Sequence, residues 1–134
     1  MSQRDALLFA NDAFYAAFVG NDFDAMDGVW SDRDDITCTH PGWSMIAGRD
    51  AVMESWRGIL ESGETRDIRH LNAEAYVLGD AGYVLCYESL GGGYLAATNV
   101  FVKDGSIWRM VHHQAGPSSA RRLDAPVPPA PRVQ

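Results

Sequence analysis

The amino-acid sequence predicts an α+β fold in which three N-terminal helices pack inside a curved, mostly antiparallel mixed sheet, as a cone-shaped α+β barrel. Two observations predict it. Apolar residues recur at helical spacing in three segments of the first half of the chain, whereas from Asp67 onward they alternate in four strand-like runs. Helices followed by consecutive strands are typical of an α+β layered fold, and a twisted sheet of this size curves around a conical cavity.

Each predicted helix has an apolar face and a stop signal. In residues 3–19, Leu7, Phe14 and Phe18 share one face, and Gly20 follows as a C-terminal stop. The segment "DFDAMDGVW" (residues 22–30) predicts a short second helix. The segment "RDAVMESWRGILESG" predicts a third helix that ends at Gly63.

The predicted strands are separated by turn residues. "DDITCT" (residues 34–39) is a brief strand that ends before Pro41. The four later runs occupy residues 67–80, 81–90, 93–104 and 106–114. Glycine-containing breaks lie between them, and Asp104-Gly105 between two alternating apolar runs is a strong hairpin signal. These four runs predict an antiparallel meander.

Length and charge limit the class of protein. The 134 residues suit one domain, which we place at residues 1–116, and the proline-rich residues 117–134 are predicted to form a flexible tail. A net charge of −7 argues against a nucleic-acid surface, and no apolar run is long enough to predict a membrane span. The N-terminal residues lack the pattern of a secretory signal, so we expect a cytoplasmic protein with Cys38 and Cys86 as free, buried thiols.

Three stretches in sequence carry a resemblance to a known family. They are "FYAAFVGNDFDAM", "THPGWSMIAGRDAVMESW" and "NVFVKDGSIWRMVHHQ". Together they resemble the SnoaL-like branch of the nuclear transport factor 2-like superfamily, to which ketosteroid isomerase belongs. The resemblance implies a cone that often homodimerises through the outer face of its sheet. It does not imply one activity, because the superfamily includes isomerases, dehydratases, polyketide cyclases and kinase association domains.

The resemblance also indicates candidate catalytic positions. Ketosteroid isomerase-like relatives place a proton-shuttling aspartate just before the proline of the turn, where this sequence has His40. Their first-helix tyrosine matches Phe14, which cannot donate a hydrogen bond, and the adjacent Tyr15 is turned by roughly 100° around the helix. Their protonated aspartate corresponds approximately to Asn99, whose amide can still donate. The sequence therefore predicts His40 and Asn99 as candidate catalytic residues, but not a ketosteroid isomerase.

The last strand supplies further candidates. At a period of two, Trp108, Met110, His112 and Gln114 share one face, and His113 lies on the other. By the resemblance the Met110 face borders the cavity, so His112 and Gln114 are predicted pocket residues and His113 is not. The predicted pocket residues are Phe14, Trp43, Trp56, Tyr87, Asn99, Met110, His112 and Gln114. Glu88 is either a pocket acid or a solvated charge at the sheet edge, and we expect the latter.

Two functions remain open at this point. The first is a domain that binds a small apolar or carbonyl-containing molecule, or assembles as a homodimer, without catalysis. The second is a cofactor-independent isomerase, cyclase or dehydratase with His40 as general acid/base. Neither needs a cofactor, and we expect no metal site because no HxH, HExxH or CxxC spacing is present.

Overall fold

Three helices form in the segments that the sequence indicates. The computed structural model describes residues 1–62, 64 and 67–119. Its helices are α1 (Gln3–Val19), α2 (Phe23–Val29) and α3 (Arg49–Glu61). The first two begin at side-chain caps, because Ser2 Oγ accepts from the Asp5 amide and Asp22 Oδ1 accepts from the Ala25 amide. The predicted stop of α3 at Gly63 lies outside the described residues.

Six strands form one mixed sheet. They are β1 (Thr37–Thr39), β2 (Ile46–Ala47), β3 (Arg69–Leu78), β4 (Ala81–Ser89), β5 (Tyr94–Asp104) and β6 (Ile107–Ser118). The spatial order is β2-β1-β6-β5-β4-β3, with β1 parallel to β6 and the other neighbours antiparallel. The predicted α+β class and the four-strand meander are confirmed. The sequence analysis missed β2, which has only two residues.

The core lies between the helices and the inward face of the sheet. Helix α1 packs against β3, β4 and β6, and α3 packs against α2, β1 and β2. The largest buried side chains come from both layers: Trp30, Trp56, Tyr15, Phe14 and Phe101. Each buried ring of this size removes a large apolar area from water and so contributes to the hydrophobic stabilisation of the domain.

A bulge in β6 changes which of its residues point inward. Phe101 pairs with Met110, but its neighbour Val100 pairs with His112, so Val111 is an extra residue on β6. A bulge of this kind shifts the inward and outward alternation by one residue. Met110 therefore points inward before the bulge, and His113 points inward after it.

The strand β6 also corrects the predicted domain boundary. Pro117 and Ser118 belong to β6 and pair with Leu95 and Tyr94, so the folded domain continues beyond the predicted limit at residue 116. The rest of the predicted tail, from residue 120 onward, lies outside the described residues. Within the described part of the chain, each helix is too short or too polar to cross a membrane.

Close packing of α1 on β4 gives a testable prediction. A Cβ atom added at Gly82 would lie 2.7 Å from Leu7 Cδ2 and 3.0 Å from the Tyr76 carbonyl oxygen. We expect Gly82→Ala to lower the free energy of unfolding by about 1–3 kcal/mol, because a packed core resists added volume. Urea denaturation measures this value.

The matched control is Gly116→Ala, since a Cβ there meets nothing within 4 Å. We expect that variant to change stability by no more than about 0.5 kcal/mol. Equal stability of the two variants would contradict the close packing at Gly82.

Candidate functional site

A cluster of polar side chains lies inside the otherwise apolar cone. Buried polar groups are rare unless they are hydrogen-bonded, so a group of them in one interior is informative. Five such residues have side chains that are at most 3% exposed. They come from α1, the turn after β1, β4, β5 and β6: Asn11, His40, Glu88, Asn99 and His113.

Asn99 connects three of these elements. Its Oδ1 accepts a hydrogen bond from His113 Nδ1 at 2.6 Å, since an amide oxygen cannot donate. Its Nδ2 donates to Asn11 Oδ1 at 2.8 Å and to Tyr15 Oη at 3.2 Å. The Asn99 side chain therefore joins β5 to β6 and to α1.

The chain of hydrogen bonds continues to Glu88. Tyr15 Oη donates to Glu88 Oε2 at 2.6 Å and lies 3.4 Å from Cys86 Sγ. On the outer side, the His70 ring stacks on the Tyr15 ring with centroids 4.5 Å apart, and His70 Nε2 lies 2.8 Å from Asp12 Oδ1. Glu88 was expected to be a solvated edge charge, and that expectation is wrong because its side chain is buried beneath α1.

His40 stands among aromatic rings at the other side of the cluster. Its ring is 4.7 Å from the ring of Trp43 and 4.7 Å from that of Trp56, both in edge-on contact. The His113 ring lies 6.5 Å away. His40 Nε2 is 2.9 Å from Ser55 Oγ, in the middle of α3. The interior thus holds two imidazoles whose ring centroids are 6.5 Å apart.

Burial controls the ionisation of these groups. Desolvation lowers the pKa of His40 to about 4. It lowers the pKa of His113 to about 3, and repulsion from His40 and His112 adds to this effect. Desolvation raises the pKa of Glu88, although the Tyr15 hydrogen bond and His70 partly oppose that shift. Both imidazoles are consequently neutral at pH 7.

The structure brings together five of the predicted site residues. Phe14 packs against Trp56 and His113, with ring centroids 5.4 Å and 4.9 Å away. Asn99 and Met110 are buried on the inward face of the sheet. Trp43 is 51% exposed, but its ring covers His40. Ring contacts and His113 thus join Phe14, Trp43, Trp56 and Asn99 to His40, which makes five, whereas Met110 is buried in the core beside Trp30 and Phe101.

Three other predicted pocket residues do not point inward. The bulge at Val111 places His112 and Gln114 on the outer face of the sheet, where His112 Nδ1 lies 2.7 Å from Thr37 Oγ1. Tyr87 also lies on the outer face, because its neighbours Cys86 and Glu88 are the buried ones. The prediction that His112, Gln114 and Tyr87 line the cavity is therefore wrong.

Three interior residues were missed by the sequence analysis. His113 was assigned to the wrong face, since no residue in the sequence marks the bulge. Tyr15 was set aside as a neighbour of Phe14, yet both are buried, and their rings meet edge-on at 4.8 Å. Glu88 could have been found, because it follows Val84 and Cys86 at a period of two.

A shallow depression covers the His40 side of the cluster. It has a volume of about 730 Å³ and includes Trp43 and Ser55, two of the residues that contact the His40 ring. A small molecule in this depression would lie against two neighbours of His40. No group of three His, Cys, Asp or Glu side chains within the described ranges is arranged to hold a metal ion.

Comparison with known proteins gives a consistent family. A family model described as a SnoaL-like domain matches residues 8–118. A proposed dehydratase of the nuclear transport factor 2-like family from Streptomyces avermitilis is 27% identical, with a TM-score of 0.78, over 87% of this chain and 96% of that chain. A proposed calcium/calmodulin-dependent protein kinase type II association domain from Thiobacillus denitrificans is 31% identical, with a TM-score of 0.72, over 82% of this chain and 93% of that chain.

A curated plant protein is also similar. The F-box protein SKIP8 from Arabidopsis thaliana is 26% identical over 112 residues. The match covers 82% of this chain and 48% of the plant protein, so this chain spans about half the length of that relative.

The low pKa of His40 predicts acid sensitivity. Its pKa of about 4 lies below the value of about 6.5 in the unfolded chain, so the unfolded state binds the proton more tightly. The contribution of His40 to the free energy of unfolding is therefore fully present above pH 6.5, and it falls as the pH drops from there towards 4. We expect this histidine to contribute a loss of up to about 1.4 kcal/mol per pH unit in that window.

The measurement is urea denaturation of the wild type and of His40→Gln between pH 7 and pH 4.5. The variant should lose less stability than the wild type, because it lacks the titrating group. His112→Gln, on the outer face, is the control and should follow the wild type. Parallel curves for the wild type and His40→Gln would contradict a buried, neutral His40.

Proposed function

This chain belongs to the SnoaL-like domain family, and we propose that it is a cofactor-independent acid–base enzyme, of the dehydratase or isomerase kind, that acts on a small uncharged carbonyl compound inside the cone. The observation that carries the proposal is the pair formed by the buried, neutral His40 and the unpartnered indole N–H of Trp56 beside it. Titratable groups with shifted pKa values often mark functional sites.

The indole supports a carbonyl ligand. Trp56 Nε1 is buried and has no hydrogen-bond partner among the described residues. A buried donor without an acceptor is costly, and a carbonyl oxygen of a bound molecule would satisfy it. The same bond would stabilise the negative charge that develops on that oxygen when a neighbouring carbon loses a proton.

His40 supplies the matching base. A general base must be unprotonated, and burial keeps the His40 imidazole neutral at pH 7. In the proposed reaction it takes a proton from the carbon next to the carbonyl group. It then returns the proton to another carbon in an isomerisation, or to a leaving hydroxyl group in a dehydration. The 27% identical Streptomyces protein, a proposed dehydratase, is consistent with the second outcome.

The charge of the interior favours an uncharged ligand. The buried polar side chains of the described residues include no lysine or arginine. An anionic ligand would therefore find no cation inside the cone, and it would be repelled by any negative charge on Glu88. The proposed ligand is a small apolar molecule with a carbonyl group, and the turn of residues 41–45 that carries Trp43 would have to move to admit it.

A ligand screen with a matched variant tests the proposal. Small hydrophobic aldehydes and ketones are mixed with the wild type, His40→Ala and His112→Ala, and binding and turnover are followed by ligand-observed NMR. We expect His40→Ala to lose turnover while His112→Ala retains it. Trp56→Phe should weaken binding about tenfold, the effect of losing about 1.4 kcal/mol.

Circular dichroism confirms that each variant is folded. If His40→Ala turns over a compound as fast as the wild type, His40 is a structural residue. If the wild type binds none of the compounds, the proposed enzymatic function is contradicted, and assembly becomes the leading proposal.

A second proposed function is assembly through the outer face of the sheet. Leu85 lies at the centre of this face and is 40% exposed, and Glu74 on the edge strand β3 pairs with it. The other outward residues around it are uncharged: Tyr83, Tyr87, Thr98, Val100 and His112. A partly apolar sheet face of this kind, with a charge towards its rim, is typical of a protein interface. We propose that it pairs with a second copy, as the 31% identical association domain suggests.

The oligomeric state tests that interface. We expect Leu85→Glu to shift a dimer to a monomer in sedimentation velocity, because a second carboxylate beside Glu74 at the centre of the face would be buried without a partner. Met45→Glu is the control, since Met45 is 88% exposed on the turn near His40. A wild-type monomer, or a Leu85→Glu dimer, would contradict assembly through this face.

The proposed location is the cytoplasm. Cys38 and Cys86 are both buried and free of disulfides. Unpaired thiols fit a reducing compartment.

A further inference from the structure

The hydrogen bonds around His40 carry an inference about its protonation. We propose that Ser55 is a positioning residue that holds His40 as the Nε2–H tautomer and so leaves Nδ1 as the proton-accepting atom. The claim that His40 Nδ1 accepts a proton from a substrate rests on the function proposed above. The tautomer itself is a property of the free protein and can be measured without any ligand.

The Ser55 hydroxyl has a single proton, and it donates that proton to a backbone carbonyl oxygen rather than to His40. Ser55 Oγ lies 2.6 Å from the carbonyl oxygen of Val52, one turn earlier on α3. A carbonyl oxygen can only accept, so the hydroxyl must donate to it. Oγ then has only lone pairs to offer to His40 Nε2, which is 2.9 Å away. His40 must therefore donate from Nε2.

The other ring nitrogen has the surroundings of an acceptor. Cys38 Sγ lies 4.0 Å from His40 Nδ1 and 3.7 Å from Nε2, both much longer than the 2.9 Å contact between Nε2 and Ser55. Burial raises the pKa of Cys38 to about 12, so this residue is a neutral thiol and at most a weak donor. Neither neighbour of the ring requires a proton on Nδ1. A neutral imidazole with its proton on Nε2 keeps the Nδ1 lone pair free to accept one from a ligand.

The location of Ser55 suits a positioning role. It is part of α3, and its bond to the carbonyl oxygen three residues earlier fixes its rotamer. His40 follows β1 and packs on Trp56, the next residue along α3. Two consecutive residues of α3 thus set the tautomer and the ring plane of His40.

The second buried histidine provides an internal comparison. His113 donates from Nδ1 to Asn99 Oδ1, whose amide group already donates twice from Nδ2. His113 is therefore the opposite tautomer, Nδ1–H. The two interior imidazoles differ in which nitrogen carries the proton, although both are neutral at pH 7.

Long-range proton–nitrogen NMR correlation of histidine-labelled protein distinguishes the two tautomers. The chain has four histidines, and loss of signals in His40→Gln and His113→Gln assigns the relevant two. At pH 7 we expect Nε2–H for His40 and Nδ1–H for His113 in the wild type. Finding Nδ1–H as the main form of His40 would overturn the assignment.

Substitution of Ser55 gives the second test. Ser55→Ala removes the acceptor, and we expect His40 to become a mixture of both tautomers while the His113 signals stay unchanged. Ser55→Thr retains the hydroxyl and should keep Nε2–H. Ser55→Cys, a weak acceptor of similar size, repeats the loss if the alanine variant is unstable. A single, unchanged Nε2–H form in both the alanine and cysteine variants would show that Ser55 does not position His40.

The outcome separates this inference from the proposed enzymatic function. If the tautomers are as expected but no carbonyl compound is turned over, the positioning by Ser55 holds and the catalytic role fails. If turnover depends on His40 but Ser55→Ala leaves both the tautomer and the rate unchanged, the catalytic role holds and the positioning by Ser55 is wrong.

Discussion

The interior of this domain depends on one amide side chain. Asn99 is completely buried, and it accepts from His113 while donating to Asn11 and Tyr15. Each of these groups would cost on the order of 1–3 kcal/mol if it were buried without a partner. A residue that satisfies several of them at once allows a polar cluster to exist inside an apolar cone. The same bonds fix the position of α1 relative to β5 and β6.

The hydrogen bonds from His113 to Glu88 all run in the same donor-to-acceptor direction. Hydrogen bonds run from His113 to Asn99, from Asn99 to Tyr15 and from Tyr15 to Glu88, with each group donating to the next. His40 is anchored separately on α3 through Ser55 and Trp56. Each imidazole is thus held at one nitrogen, and desolvation keeps both rings neutral. The proposed chemistry, proton transfer on an uncharged molecule, fits an interior whose described polar residues include no lysine or arginine.

Membership of the SnoaL-like domain family fits this arrangement but does not define it. Among the similar proteins are a proposed dehydratase and a proposed kinase association domain, two roles that need different surfaces. In this chain the two surfaces are distinct. The polar cluster lies inside the cone, whereas the partly apolar face around Leu85 lies on the outside of the sheet. The two proposed functions are therefore compatible in one domain, since β4 contributes alternate residues to the cluster and to the outer face.

The sequence by itself determined the helices, the strands other than β2 and the fold class, because helical spacing, strand alternation and glycine turns are local signals. It also indicated His40, Phe14, Trp56 and Asn99 through the resemblance to a family.

The tertiary structure alone decided which side of β6 faces inward. The extra residue Val111 reverses the alternation, so His113 replaces His112 in the interior. That bulge is set by pairing with β5 and by the packing of Met110 and His113 into the core, and no local pattern in β6 records it. Likewise, Glu88 has the charge of a surface residue, and only the Tyr15 hydroxyl on α1 above it makes its burial possible.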